Sequence, residues 1–299
     1  MSASLWDAGS IERLGTGATW SEGPVWLPAR QSVIWSDIPG NRILEYSTVT
    51  RTTSVYRDGV EFTNGRTLAH DGSILQCSHG RRRIERDVDG EISVVVDGFD
   101  GRRLNSPNDI VVASDGAIWF SDPPYGITVP EEGHAGEREY GDCFVFRLDP
   151  ATGELRPGVV DVEEPNGLAF SPDETVLYVT DTSAASRGYA AGNHHIRAYD
   201  VVGGRCKNGR VFAVMDDGLA DGIRVDTSGN VWSSSASGLV VFDRDGELIA
   251  RIPVPETVAN LCFGGSDGTD IYIAATTSLY RIQSRVRDAA QARLMEVGR

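Results

Sequence analysis

Glu22, Asn64, Asn108, Asn166, Asp221 and Asn260 are the six positions of this 299-residue chain whose type and spacing could do chemistry together. Each belongs to a short stretch of the same kind: SEGPVW, TNGRTL, PNDIVV, PNGLAF, ADGIRV and ANLCFG. Alone, an Asn or Asp ahead of a strand is ordinarily a turn or cap residue bonded to nearby backbone. Gathered in one place, the six would supply two carboxylates and a set of amide carbonyls. Two carboxylates crowded out of water are costly unless a cation sits between them. An all-oxygen set suits Ca2+, Mg2+ or Mn2+, with Zn2+ also compatible. Two negative charges balance one divalent ion.

The elements that must gather them recur at the same period. Nine to eleven residues after each anchor comes a second strand: VIWSD at 33–37, SILQCS at 73–78, AIWFSD at 117–122, VLYVTD at 176–181, NVWSSS at 230–235 and DIYIAA at 270–275. A third follows each time: RILEY, RRIERDV, CFVFRLD, HIRAYDV, GLVVFD and SLYRI. Repeats of about 40–55 residues with several strands each are the signature of a propeller. The expected fold is all-β: a six-bladed β-propeller with four-stranded antiparallel blades around a central channel. The chain reads as one domain, with blades at about 20–60, 61–103, 104–163, 164–218, 219–256 and 257–284. Residues 11–20 would supply the outer strand of the last blade and so leave no open edge. The tail 285–299 contains VRDAAQARLMEV (286–297), the one stretch with a helical pattern.

Tight turns rich in Asp, Gly, Ser and Pro join first strands to second: 27–31, 70–72, 114–116, 171–174, 227–230 and 266–269. The anchors and the ends of the second strands (Asp37, Ser78, Asp122, Asp181, Ser235 and Ala275) must therefore share the opposite face. The two long excursions, 123–142 and 182–194, leave from that face too. Long insertions concentrated on one rim mark a binding face.

Composition narrows the partners. The net charge is −15 and the acidic residues are spread through the turns, which disfavours nucleic acid and anionic membrane as partners. The four cysteines (77, 143, 206 and 262) are far apart with no C-x-x-C spacing, which reads as reduced thiols in a cytoplasmic protein. No leader-like segment and no run of about 20 apolar residues stands out. A monomer or small homo-oligomer is expected. Gly264-Gly265-Ser266-Asp267-Gly268 matches the nucleophile elbow G-x-S-x-G, but the strand DIYIAA follows where that motif needs a helix, so it reads as a hairpin turn.

The run from SEGPVW through LNSPNDIVVASDGAIWFSDPPYG, REYG, EPNGLAFSPDETVLYVTDT and HHIRAYDV to DGIRVD resembles the gluconolactonase/regucalcin (senescence-marker-protein) family. The likeness covers essentially the whole chain, with the motifs in order. It implies one divalent ion in the channel, Ca2+ first among the candidates, held by Glu22, Asn166 and Asp221. Asn108 would lie beside the ion, binding it or contacting substrate. Asn64 and Asn260 hold the same repeat position without being ligands in the family pattern. Ser106 stands where animal members carry a substrate-contacting Arg, and the SPND and DPPYG wording is similar to microbial gluconolactonases.

The implied activity is metal-dependent opening of a sugar 1,4- or 1,5-lactone to the aldonic acid. A divalent ion polarises the carbonyl and acidifies a water, and Asp221 would act as general base, with nucleophile or plain ligand as its alternatives. Asn105, Tyr125, Arg138, Asp181 and His195 are candidates to bind the sugar hydroxyls, though Asp181 and His195 could equally close their blade by hydrogen bonds. His194 and His195 do not form a metal pair, because consecutive strand residues face opposite ways. Two alternatives stand beside this: a metal-dependent phosphotriesterase or arylesterase, and a non-catalytic calcium-binding scaffold.

Overall fold

A computed structural model describes residues 5–291. Six four-stranded sheets follow one another around a channel, each in simple up-and-down order. Their innermost strands are Ser21–Leu27, Thr63–Leu68, Ile110–Val112, Pro165–Phe170, Ile223–Val225 and Val258–Gly264. The N-terminal strand Glu12–Thr16 pairs antiparallel with Ser278–Gln283, so the last blade takes its outer strand from the start of the chain. The expected helical pattern at 286–297 falls largely outside the described residues; 289–291 begin a helical turn. Gly264–Gly268 does end one strand and turn into Asp270–Ala275, as a hairpin.

Apolar side chains pack between neighbouring blades as well as within them. Trp26 of the first blade stacks on Tyr272 of the sixth at 5.5 Å. Trp119 of the third meets Phe170 of the fourth edge-on at 5.6 Å, and Trp232 of the fifth meets Phe263 of the sixth at 5.8 Å. Trp35, Trp119, Trp232 and Tyr272, all on second strands, are 1% exposed or less. The second strands are buried on both faces, which is why their sequences read as nearly unbroken apolar runs.

Near the channel the blades touch backbone to backbone, and this explains the small residue after four of the six anchors. A Cβ on Gly65 would lie 2.4 Å from the Asn108 carbonyl oxygen, and one on Gly167 2.2 Å from the Asp221 carbonyl oxygen. Instead Gly65 N–H donates to Asn108 O at 2.8 Å, and Gly167 N–H to Asp221 O at 3.1 Å. These backbone contacts leave no room for a methyl group on either glycine. Gly65→Ala is therefore expected to cost about 3 kcal/mol in urea unfolding. Gly116, a hairpin glycine with φ of 83° and open space around it, should cost only about 1 kcal/mol as Gly116→Ala. Equal losses at the two positions would contradict this packing.

Candidate active site

The anchors converge because strand pairing breaks at them. Register shifts fall between Glu22 and Val25, Thr63 and Arg66, Pro165 and Leu168, and Val258 and Asn260. In the third and fifth blades the inner strand begins two residues after the anchor, at Ile110 and Ile223. An irregularity of this kind frees a side chain from the pleat and re-aims it. All the anchors except half-buried Asp221 are at most 5% exposed.

A second device holds the approach to three anchors. Asp37 accepts from the N–H groups of Thr19 (2.8 Å) and Trp20 (3.3 Å). Asp122 accepts from those of Asn105 and Ser106, both at 2.8 Å. Asp181 accepts from those of Glu163 (2.9 Å) and Glu164 (3.3 Å). In each case the two donors stand three and two residues before the anchor. The aspartates that end the second strands thus clamp the loops that deliver Glu22, Asn108 and Asn166.

This places the predicted sugar-binding residues. Asp181 also accepts from Ser183 N–H and Asn193 Nδ2, so its carboxylate is fully engaged in closing its blade. Asn105 is wholly buried, and its Nδ2 donates to the carbonyls of Asp122 and Asp142. His195 is half-buried opposite Asp181 in the ladder; burial lowers its pKa, and its Nε2 has no partner among the described residues. Arg138 is exposed, with its guanidinium 3.7 Å from the Cys143 thiol rather than among the ring carboxylates. Tyr125 does reach the ring: its hydroxyl bonds Thr182 Oγ1 at 2.5 Å, and burial followed by the nearby Glu164 and Asp221 charges pushes its pKa up. All four cysteines are free, and only Cys206 is not fully buried.

At the centre the Glu22 and Asp221 carboxyls lie within hydrogen-bonding reach of each other. Glu22 Oε2 also accepts from Gly23 N–H at 2.6 Å and from Asn260 Nδ2 at 3.0 Å. Burial outweighs those bonds and pushes the Glu22 pKa from 4.5 up to about 7. Asp221 is held well above the usual carboxylate range by burial first, then by Glu22, Glu132 and Asp109. Two neighbouring acids that both resist ionising are poised for a cation. Around them the Oδ1 atoms of Asn166 and Asn64 are buried without a hydrogen-bond partner among the described residues. Asn166 Nδ2 is turned away to Thr182 Oγ1 at 3.4 Å, leaving its carbonyl oxygen unspent. Among the described residues no three of His, Cys, Asp and Glu cluster as metal ligands, so a cation here would draw on amide oxygens as well as carboxylates. That donor set fits a hard divalent ion.

Glu132 and His79 were not visible in the sequence as site residues. The 123–142 excursion is pinned across the second and third blades. Ser106 Oγ donates to Pro123 O (2.7 Å) and accepts from Gly126 N–H (2.9 Å), while Arg82 bonds the carbonyls of Leu104 and Glu137. Buried His79 lies between this loop and the ring, its Nδ1 at 3.1 Å from Glu132 O and its Nε2 at 3.2 Å from Asn64 Nδ2. The loop so held brings the Glu132 carboxyl close enough to raise the pKa of both Glu22 and Asp221. Burial, then Glu131, pushes Glu132 itself to about 7. The only trace in the sequence is an acidic pair inside the longest excursion.

The fold and site define a six-bladed propeller with a ring of acids and amides at one mouth and a pinned loop beside it. Residues 20–277 match the SMP-30/gluconolactonase/LRE-like region, and the chain belongs to that family. It is 32% identical over 300 residues to a gluconolactonase of Zymomonas mobilis, covering 92% of this chain and 81% of that one. It is 30% identical over 268 residues to the pentonolactonase XacC of Haloferax volcanii, covering 86% and 82%. The gluconolactonase XC5397 of Xanthomonas campestris superimposes with a TM-score of 0.85 at 40% identity, over 92% of this chain and 89% of that one.

The raised Glu22 pKa carries a testable sign. A carboxyl with a raised folded-state pKa stabilises the fold while protonated, and that contribution is lost as pH climbs from 4.5 to about 7. Metal-stripped protein should therefore lose thermal stability across that window. Glu22→Gln should flatten the slope, and a divalent ion should reverse the loss. Thermal unfolding followed by tryptophan fluorescence reads all three; a flat profile for stripped wild-type protein would contradict the buried pair.

Proposed function

We propose that this chain is a divalent-metal-dependent lactonase that hydrolyses a sugar 1,4- or 1,5-lactone to the aldonic acid. The observation that carries the reading is the Glu22–Asp221 pair, a buried and a half-buried carboxyl within hydrogen-bonding reach of each other, together with the unspent Asn166 carbonyl oxygen. Relatives named gluconolactonase and pentonolactonase support the substrate class and leave the sugar between hexose and pentose.

Glu22, Asn166 and Asp221 would hold the ion, with Asn108 as a further candidate ligand or substrate contact. The ion, when bound, supplies positive charge that polarises the lactone carbonyl and acidifies water. Asp221 takes the proton from the attacking water as the water oxygen bonds to the carbonyl carbon. The ring C–O bond then breaks, and the ring oxygen leaves as a hydroxyl after receiving that proton. Asn260 and the Gly23 N–H fix Glu22 Oε2, so the second carboxyl keeps its orientation through the cycle. Tyr125 and Glu132, delivered by the pinned loop, face the sugar. These polar walls favour a polyhydroxy lactone over an aryl ester or a phosphotriester.

Hydrolysis of glucono- and pentonolactones, followed with a pH indicator, tests this after chelation and after adding back Ca2+, Mg2+, Mn2+ or Zn2+. Turnover should vanish on chelation and return with one ion. Asp221→Asn should lower kcat by about 10²-fold or more. An Asp221→Asn protein that keeps full turnover would remove the assigned base. Absence of metal-dependent turnover on every lactone would leave a cation-binding scaffold.

A further inference from the structure

The channel has a second mouth, on the face where the first strands turn into the second. There it widens to a cavity of about 610 Å³. Trp26, Leu68, Ile110, Val112, Phe170 and Val225 form much of its wall. Apolar area predominates in the lining, with Thr67, His70, Ser114 and Ser266 among the polar groups set into it, and the volume matches a small-molecule pocket.

One polar group in the lining is unusual. Arg66, on the innermost strand of the second blade, is 1% exposed. Its two terminal nitrogens donate to neutral acceptors, Gly23 O and Ser36 Oγ, both at 2.6 Å. Its Nε is buried with no hydrogen-bond partner among the described residues. Burial lowers its pKa to about 10, so it remains a cation at neutral pH. Of the other charges of the lining, Arg224 pairs with Asp109 at 3.4 Å and also feels the buried Asp288 carboxylate, and Arg281 lies 3.8 Å from Asp270. No carboxylate is in ion-pair contact with Arg66 among the described residues. A buried guanidinium without such a partner is costly, and an anionic head group would offset that cost.

We propose that this back cavity binds an amphipathic organic anion, a monocarboxylate with an apolar chain, with its head toward Arg66 and its chain along the aromatic and aliphatic wall. The site is distinct from the anchor ring but connected to it. Arg66 bonds the Gly23 carbonyl, and the Gly23 N–H bonds Glu22. Occupancy at one mouth thereby bears on the carboxylate at the other.

Isothermal titration of the full chain with octanoate, and with octan-1-ol as the uncharged analogue, tests the proposal. Octanoate should bind saturably, one per chain, about ten-fold or more tighter than the alcohol. Val112→Trp, which fills the cavity away from the ring, should abolish both while lactone hydrolysis persists. Arg66→Met should bring octanoate down to the affinity of the alcohol. Absence of saturable octanoate binding overturns the proposal, as an occupant drawn from the chain itself would also give. Equal affinity for acid and alcohol in the wild-type chain overturns the role of Arg66. Undiminished binding in Val112→Trp places the ligand elsewhere and overturns the site.

Discussion

Glu22 and Asp221 come from blades separated by a third, yet their carboxyls meet at the mouth of a channel from which water is largely excluded. Like charges do not settle at such a distance without compensation. The compensation within the chain is partial: one backbone N–H, one Asn260 amide and the Arg66 cation behind the Gly23 peptide. The resulting pair holds protons tightly when alone and has the charge to hold a divalent ion instead. Much of the surrounding structure serves to keep the two groups facing each other.

That service is distributed over several scales. Inter-blade aromatic contacts set the spacing of the sheets. Glycines at the inner ends let the blades approach to backbone hydrogen-bond distance, so the ring is narrow enough to bring side chains of different blades together. Asp37, Asp122 and Asp181 clamp the incoming loops at the same two positions relative to their anchors. The repeat is therefore more than a way of building a core. It repeats a positioning device, and the chemistry lies where one set of side chains departs from its equivalents.

The repeat made much of this legible in advance. Anchor, tight turn and second strand recur with a spacing that fixes strand direction, and direction alone assigns the anchors to one mouth and the hairpins to the other. The carboxylates at Glu22 and Asp221 stood out as the two charged members of an otherwise amide series. What the sequence did not reveal was which polar residue near the rim faces inward. Asp181 and Asn105 look like sugar-binding groups by type, but the Asp181 carboxylate and the Asn105 amide nitrogen are engaged inside the blades, while Asn105 Oδ1 has no partner among the described residues. Glu132 looks like one more surface acid, and only the path of the 123–142 loop around His79 turns it toward the ring. Arg66 carried a signal in hindsight: a charge in an innermost strand has no solvent to reach.

The two mouths of the channel have opposite characters, one lined with acids and amides and the other with aromatic and aliphatic side chains over a cation. They share the Gly23 peptide, so the electrostatics of one bear on the other. A lone metal site would need no such arrangement, and a lone apolar pocket would need no ring of carboxyls beneath it.

The central claim is that the Glu22–Asp221 pair exchanges its protons for one divalent ion. Calorimetric titration of stripped protein with Ca2+ near pH 6.5, in two buffers of different ionisation enthalpy, measures stoichiometry and proton release together. The account predicts one ion per chain with net proton release, and loss of both in the Glu22→Gln/Asp221→Asn double variant. Binding without proton release, or binding that survives the double variant, would contradict it.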